Sequence, residues 1–229
     1  MLNIDPAGTD SAGTVHTRTE VRYRDVGTAL TGVLYRDEAQ PGRRPGILLL
    51  HGGAGLDDHA RGQAARYAAL GYTVLAADLF GDGVAGDRER VMRCLLALRD
   101  DPSALVRRCQ AGLAALADCP GTGGRFAAIG FCFGGLAALA LARAGQPLAG
   151  TVSIHGSLAT AAPAAPGSVL ARLLVCHGAA DPHVPMADVT AFAAEMDKAG
   201  ADWQLIMYGG AQHGFTHRHA IPGATPGVA

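Results

Sequence analysis

The chain has no apolar run long enough to cross a bilayer. Its longest, Leu136 to Ala142, is far short of the roughly 20 residues a spanning helix needs. Aromatic residues are scarce at 5% and the formal net charge is only −1. A base-stacking surface and an electrostatic footprint for nucleic acid or anionic membrane are therefore not expected. The five cysteines (Cys94, Cys109, Cys119, Cys132 and Cys176) are odd in number and contain no C-x-x-C pair. That argues against a disulfide framework and against a cysteine-based zinc site, and free thiols suit a reducing compartment. Met1 to Thr14 lacks the basic and apolar regions of a secretory signal, so the expected location is cytoplasmic. Gly52-Gly53-Ala54-Gly55 matches neither G-x-G-x-x-G nor P-loop spacing, so no nucleotide cofactor is expected.

What is present is enough chain for one sizeable core. A length of 229 residues fits a single α/β domain that needs no metal or disulfide to fold. Residues 1–16 read as a flexible tail and 17–229 as the domain. Val21 to Arg24 and Leu30 to Tyr35 predict an antiparallel hairpin turning at Gly27. Ile47-Leu48-Leu49-Leu50 is a continuous apolar run, as expected of a strand covered on both faces. From there strands and helices alternate. Helices are predicted over Asp57 to Leu70, Asp87 to Leu98, a segment opened by Asp101-Pro102, Leu136 to Ala144, and Pro185 to Ala199. Strands are predicted over Thr73 to Ala77, Arg125 to Ile129, Leu148 to Ile154, Leu173 to Cys176, and Gln204 to Tyr208. This alternation predicts a mostly parallel central sheet with helices on both faces. Ala159 to Ser168 is too short for a large lid.

The most informative segment is Gly130-Phe131-Cys132-Phe133-Gly134-Gly135. It sits between an apolar strand and a helix-forming run, the context in which a G-x-nucleophile-x-G elbow lifts its side chain clear of the sheet. Two polar residues follow at later strand ends. Asp181 comes after the strand ending at Cys176, and His213 after the strand ending at Tyr208. Both occupy the loops where open α/β sheets place their sites. In this reading His213 takes the Cys132 proton and Asp181 orients the imidazole. Oxyanion donors are expected from the backbone N–H of Phe133 and, after the Ile47–Leu50 strand, of Gly53. Phe80, Phe131, His155, Phe215 and His217 are the candidate substrate-binding residues. The other four cysteines read as structural. Asp188 is the competing acid, and His213, His217 and His219 are close enough in sequence to raise a metal site, but no carboxylate pattern supports one.

The combination Gly-Phe-Cys-Phe-Gly-Gly, His-Gly-x-x-Asp-x-x-Val-Pro and His-Gly-Phe resembles the dienelactone hydrolase family, as does Ala-Ala-Asp-Leu-Phe-Gly at 76 to 81. The likeness runs from about residue 28 to 225. It implies an α/β-hydrolase fold, a Cys-Asp-His triad, and cofactor-independent hydrolysis of a small ester or lactone through an acyl-enzyme. Three departures stand out. Relatives carry a glutamate that restrains the resting cysteine, and Gly52 stands there, leaving activation to His213 or to Asp57 or Asp58. The family's substrate arginines are absent from Leu79 to Gly83, and His217 stands four residues after the catalytic histidine with Arg218 beside it. The usual C-terminal helix is not expected before Ala229. These departures point away from dienelactone itself. They leave two other readings: an acyl transferase, cyclase or isomerase on the same Cys–His pair, and a non-enzymatic ligand-binding or redox-sensing protein. The expected partner is a small ester or lactone substrate, and the expected state a monomer or homodimer.

Overall fold

The computed structural model describes residues 4–9, 15–39 and 42–217. Its elements run β1 (Ile4–Thr9), β2 (Val15–Asp25), β3 (Thr28–Asp37), β4 (Arg44–Leu50), α1 (Asp58–Ala69), β5 (Thr73–Ala77), α2 (Arg88–Asp100), α3 (Pro102–Asp118), β6 (Thr122–Phe131), α4 (Phe133–Arg143), β7 (Gly150–Ile154), β8 (Arg172–Gly178), α5 (Met186–Ala199) and β9 (Trp203–Tyr208). The strands form one nine-stranded sheet in the order β1-β2-β3-β5-β4-β6-β7-β8-β9. β1, β2 and β3 pair antiparallel, and β3 runs antiparallel to β5. Every pairing from β5 through β9 is parallel. The expected α/β-hydrolase architecture is present. One expectation changes at the start of the chain: within the segment read as a loose tail, Ile4–Thr9 pairs along β2.

The elements form where local chemistry asks for them. β5 is buried at all five positions, which explains why it carries no polar alternation. Asp57 caps α1 by accepting from the Ala60 N–H at 2.9 Å. Asp101 caps α3 in the same way, with Pro102 in the first turn where its missing N–H costs nothing. α5 ends on Gly200 at φ 68°, a left-handed cap that glycine adopts freely.

Helices α2 to α5 cover one face of the sheet with a core that includes Leu48, Leu50, Leu75, Leu105 and Leu139. Burying each such leucine stabilises the fold by roughly 1.5–3 kcal/mol. α1 packs Ala60, Ala64 and Ala68 on the opposite face, against Val33, Ile47, Leu49 and Val74. Arg143, near the end of α4, makes a bidentate pair with Glu195 of α5 at 2.8 and 2.9 Å. The elbow's helix is thereby tied to the helix that follows Asp181. The C-terminal helix question falls on residues 218–229, outside the described residues, as do Arg218 and His219.

Candidate active site

Cys132 sits between β6 and α4 with φ 53° and ψ −117°. A non-glycine residue in that region costs about 1–3 kcal/mol of backbone strain. Sterics around it hold the strain in place. A Cβ built on Gly130 would overlap the Gly134 carbonyl, and one on Gly134 would overlap the Leu50 carbonyl. A Cβ on Gly135 would stand 2.6 Å from Ser153 Oγ and 2.8 Å from Gly156 Cα. The chain therefore needs glycine at all three positions for β4, β6, α4 and the end of β7 to come this close.

The three residues expected to form a triad meet at the C-terminal ends of the parallel strands. His213 Nε2 lies 3.1 Å from Cys132 Sγ, and His213 Nδ1 lies 2.9 Å from Asp181 Oδ2. The Asp181 side chain is fully buried, and its other oxygen accepts the His183 N–H at 2.8 Å. Both lone-pair sides are thus engaged, and the carboxylate has one orientation. Asp188 lies in the first turn of α5.

Electrostatics separate this thiol from the rest. Burial pushes Cys109 up to about 12 and Cys119 up to about 11, and raises Cys176. Burial acts on Cys132 in the same direction. There it is outweighed by the hydrogen bond and charge of His213 and by the backbone N–H groups of Gly53 and Phe133, which hold the thiol below its ordinary value. His213 responds in kind. Burial alone would lower it, but Cys132 and Asp181 raise it to about 9. The arrangement draws the thiol towards its thiolate and keeps the neighbouring imidazole protonated at neutral pH.

The backbone N–H groups of Gly53 and Phe133, the two expected oxyanion donors, favour negative charge on the Cys132 sulfur. A residue behind them fixes one of the two peptides. His51 is fully buried; its Nε2 accepts the Leu79 N–H at 3.1 Å, so Nδ1 carries the proton and donates to the Gly52 carbonyl at 2.8 Å. That carbonyl belongs to the same peptide unit as the Gly53 N–H. A neutral His51 therefore orients the Gly52–Gly53 peptide, and burial disfavours its charged form by lowering its pKa.

The five residues expected to contact substrate divide into two groups. Phe215 is half-buried and His217 exposed, both on the loop that carries His213. Phe80, Phe131 and His155 are buried, and back the site instead of presenting surface. Phe80 packs edge-on to His51 at 4.6 Å, and Phe131 edge-on to His59 at 5.2 Å. His59 stacks on His217 at 3.9 Å, a pairing the sequence offers no spacing to reveal. Asp57, considered as a stand-in for the absent glutamate, is occupied in capping α1. Among the described residues no histidine, cysteine and carboxylate group is arranged to hold a metal ion, and no helix is long and apolar enough to cross a membrane.

A profile of the dienelactone hydrolase family matches residues 30–226. No curated protein matches the chain. Among solved structures, the protein designated m3DLH is 41% identical with a TM-score of 0.86, covering 93% of this chain and 90% of its own. A dienelactone hydrolase-like promiscuous phosphotriesterase from metagenomic libraries is 38% identical with a TM-score of 0.85, over the same shares. Dienelactone hydrolase from Anabaena variabilis, at 22% identity and a TM-score of 0.68, covers 89% of this chain and 90% of its own and shares the fold.

Proposed function

The chain belongs to the dienelactone hydrolase family, and from that premise we propose that it hydrolyses a small ester or lactone with Cys132 as nucleophile. The Cys132 thiolate attacks the substrate carbonyl carbon, and the carbonyl electron pair moves onto oxygen. The N–H groups of Gly53 and Phe133 receive that oxyanion, each such donor being worth roughly 3–4 kcal/mol in the transition state. Collapse breaks the bond to the leaving oxygen, which takes the Nε2 proton of His213. The product at this stage is an acyl-cysteine and a neutral imidazole. Water then attacks the thioester, giving its proton to His213 Nε2, and the second collapse expels the thiolate. Asp181 stays ionised throughout and stabilises each imidazolium. A thiolate leaves readily, so the cycle suits activated esters and enol-lactones better than amides.

One observation carries this reading: the thiol held below its ordinary value is the one 3.1 Å from His213 Nε2. Turnover of p-nitrophenyl acetate and a panel of lactones tests it, with mass spectrometry watching for an acyl adduct on Cys132. Because one relative is a promiscuous phosphotriesterase, a p-nitrophenyl phosphotriester belongs in the panel. Loss of turnover and adduct in Cys132→Ala is expected; wild-type turnover by that variant would sink the proposal.

A further inference from the structure

We propose that His155 is a positioning residue, a single neutral imidazole that ties the nucleophile elbow to the loop carrying His213 and so sets the Cys132–His213 contact. This rests on the reading of Cys132 and His213 as the working pair.

β7 ends at Ile154, and His155 follows at φ 41°. Among the described residues only Val26, Cys132 and His155 are non-glycine residues with positive φ, and two of these three meet here. The backbone N–H of His155 is held by the Cys176 carbonyl at 2.8 Å, which anchors it to β8. Its ring is fully buried and bonded on both sides. Nδ1 lies 3.2 Å from the backbone N of Cys132 and accepts its N–H, sharing that donor with the Ile154 carbonyl at 3.0 Å. With Nδ1 accepting, the proton resides on Nε2, which donates to Thr216 Oγ1 at 2.9 Å. Thr216 is three residues past His213 on the same turn. One rigid ring therefore holds the strained amide of the nucleophile and the loop of the base.

The brace has to be neutral. Its ring centroid is 5.2 Å from that of His213, so a charged His155 would compete with the imidazolium that pairs with the thiolate. Burial, then His213, His217 and His59, depress His155 to about 3. The ionisable groups around this cluster are Cys132 and Asp181 on either side of His213, His183 edge-on to it at 5.1 Å, and Asp57, whose charge acts on His59 and His217. An imidazole suits the task because it offers an acceptor and a donor on opposite edges of one ring. Asparagine or glutamine matches only one of the two reaches.

Thr216→Val is the central test, since it keeps the shape and removes the hydroxyl. The readouts are iodoacetamide labelling of Cys132 against pH, followed peptide by peptide, and the split between kcat and KM on p-nitrophenyl acetate. The expected result is a kcat lower by about tenfold with KM within about twofold, the loss of one hydrogen bond expressed in positioning. The labelling midpoint of Cys132 should move up towards that of an ordinary thiol, and Thr216→Ser should restore both. His155→Asn, which tolerates positive φ and keeps an acceptor for the Cys132 N–H, should behave like Thr216→Val. If His155→Asn fails to fold, the two Thr216 variants decide. Wild-type kcat and labelling profile in Thr216→Val overturn the brace. That outcome, with Cys132→Ala inactive, leaves the nucleophile assignment standing, whereas an active Cys132→Ala overturns the assignment itself.

Discussion

The elbow around Cys132 and the loop around His213 hold the two ends of one 3.1 Å contact, and they are built by different means. At the elbow, backbone touches backbone. Gly130, Gly134 and Gly135 have no room for a Cβ, and apart from Ser153 Oγ beside Gly135 the atoms in the way are backbone that cannot swing aside. At the histidine loop, the foot is packed backbone to backbone, with Gly178 too close to the Ala211 carbonyl for a Cβ, but side chains hold the ring end. Asp181 takes one ring nitrogen, the Thr216 hydroxyl meets His155, and Phe215 lies edge-on to His155 at 5.3 Å. The elbow is placed mainly by steric exclusion, whereas the His213 end of the loop is placed by a few polar bonds above a sterically fixed foot. A lesion at the elbow should therefore cost the fold, and a lesion among the loop's polar side chains should cost the chemistry.

The largest effect expected from that contrast is the pair Gly134→Ala and Asp181→Asn. The first drives a methyl into the Leu50 carbonyl, and should destabilise by more than about 4 kcal/mol, leaving little soluble folded protein. The second keeps the shape of a buried side chain and removes the charge facing His213. It should melt within a few degrees of the wild type while kcat falls by roughly 10³–10⁴. Thermal unfolding and steady-state kinetics on both variants check this. A folded, active Gly134→Ala would break the comparison outright.

Much of this division is legible in the amino-acid sequence alone. The elbow and both strand-end loops announce themselves locally, because glycine spacing and residue order are written within six to ten positions. The Asp101-Pro102 helix start, the β2–β3 hairpin and the bounds of β5 are equally local. What stays hidden depends on contacts between distant segments. His155 reads as a residue at a strand end, and only the register of β6 with β7, Phe131 opposite Ile154, brings it under the Cys132 amide. His51 reads as part of the oxyanion turn, but its tautomer is set by Leu79, 28 positions away. Phe80 and Phe131 read as substrate contacts because they flank motif residues. Both are buried, Phe80 packed edge-on to His51 and Phe131 edge-on to His59 within the core under α1.

The next largest effect separates the two ends by pH. Alkylation of Cys132 needs only the thiolate, whereas turnover by the proposed mechanism also needs the His213 proton for the leaving oxygen. Alkylation should therefore rise once, through the depressed value of Cys132, and stay high in alkali. Turnover should rise with it and then fall as His213 loses its proton near pH 9. The folded value of His213 lies above the ordinary 6.5, so the stability it lends is complete below about 6.5 and disappears as pH climbs to about 9. Rate profiles for both reactions across pH 4 to 10, a range of about six units spanning these groups, decide the matter. Coincident profiles with no alkaline fall in turnover would remove His213 from proton transfer.

The smallest effect probes the border between the two regions. Gly52 lies beside Cys132 without the elbow's crowding. A Cβ there would meet Cys132 Cβ at 3.5 Å and the Phe131 carbonyl at 3.6 Å, both ordinary contacts, and Gly52 is not among the positive-φ glycines. Gly52→Ala should change stability by less than about 1 kcal/mol, with a stabilising contribution from the stiffer unfolded chain, and leave kcat within about twofold. Gly52→Glu asks the sharper question, because a carboxylate near the thiolate opposes its ionisation. The labelling midpoint of Cys132 should then rise and turnover at neutral pH should drop several-fold, with His213 and Asp181 untouched. If Gly52→Ala instead unfolds the protein, steric exclusion extends across the oxyanion turn as well. If Gly52→Glu leaves the midpoint where it was, the bonds from His213, Gly53 and Phe133 set the state of the thiolate without regard to a neighbouring charge.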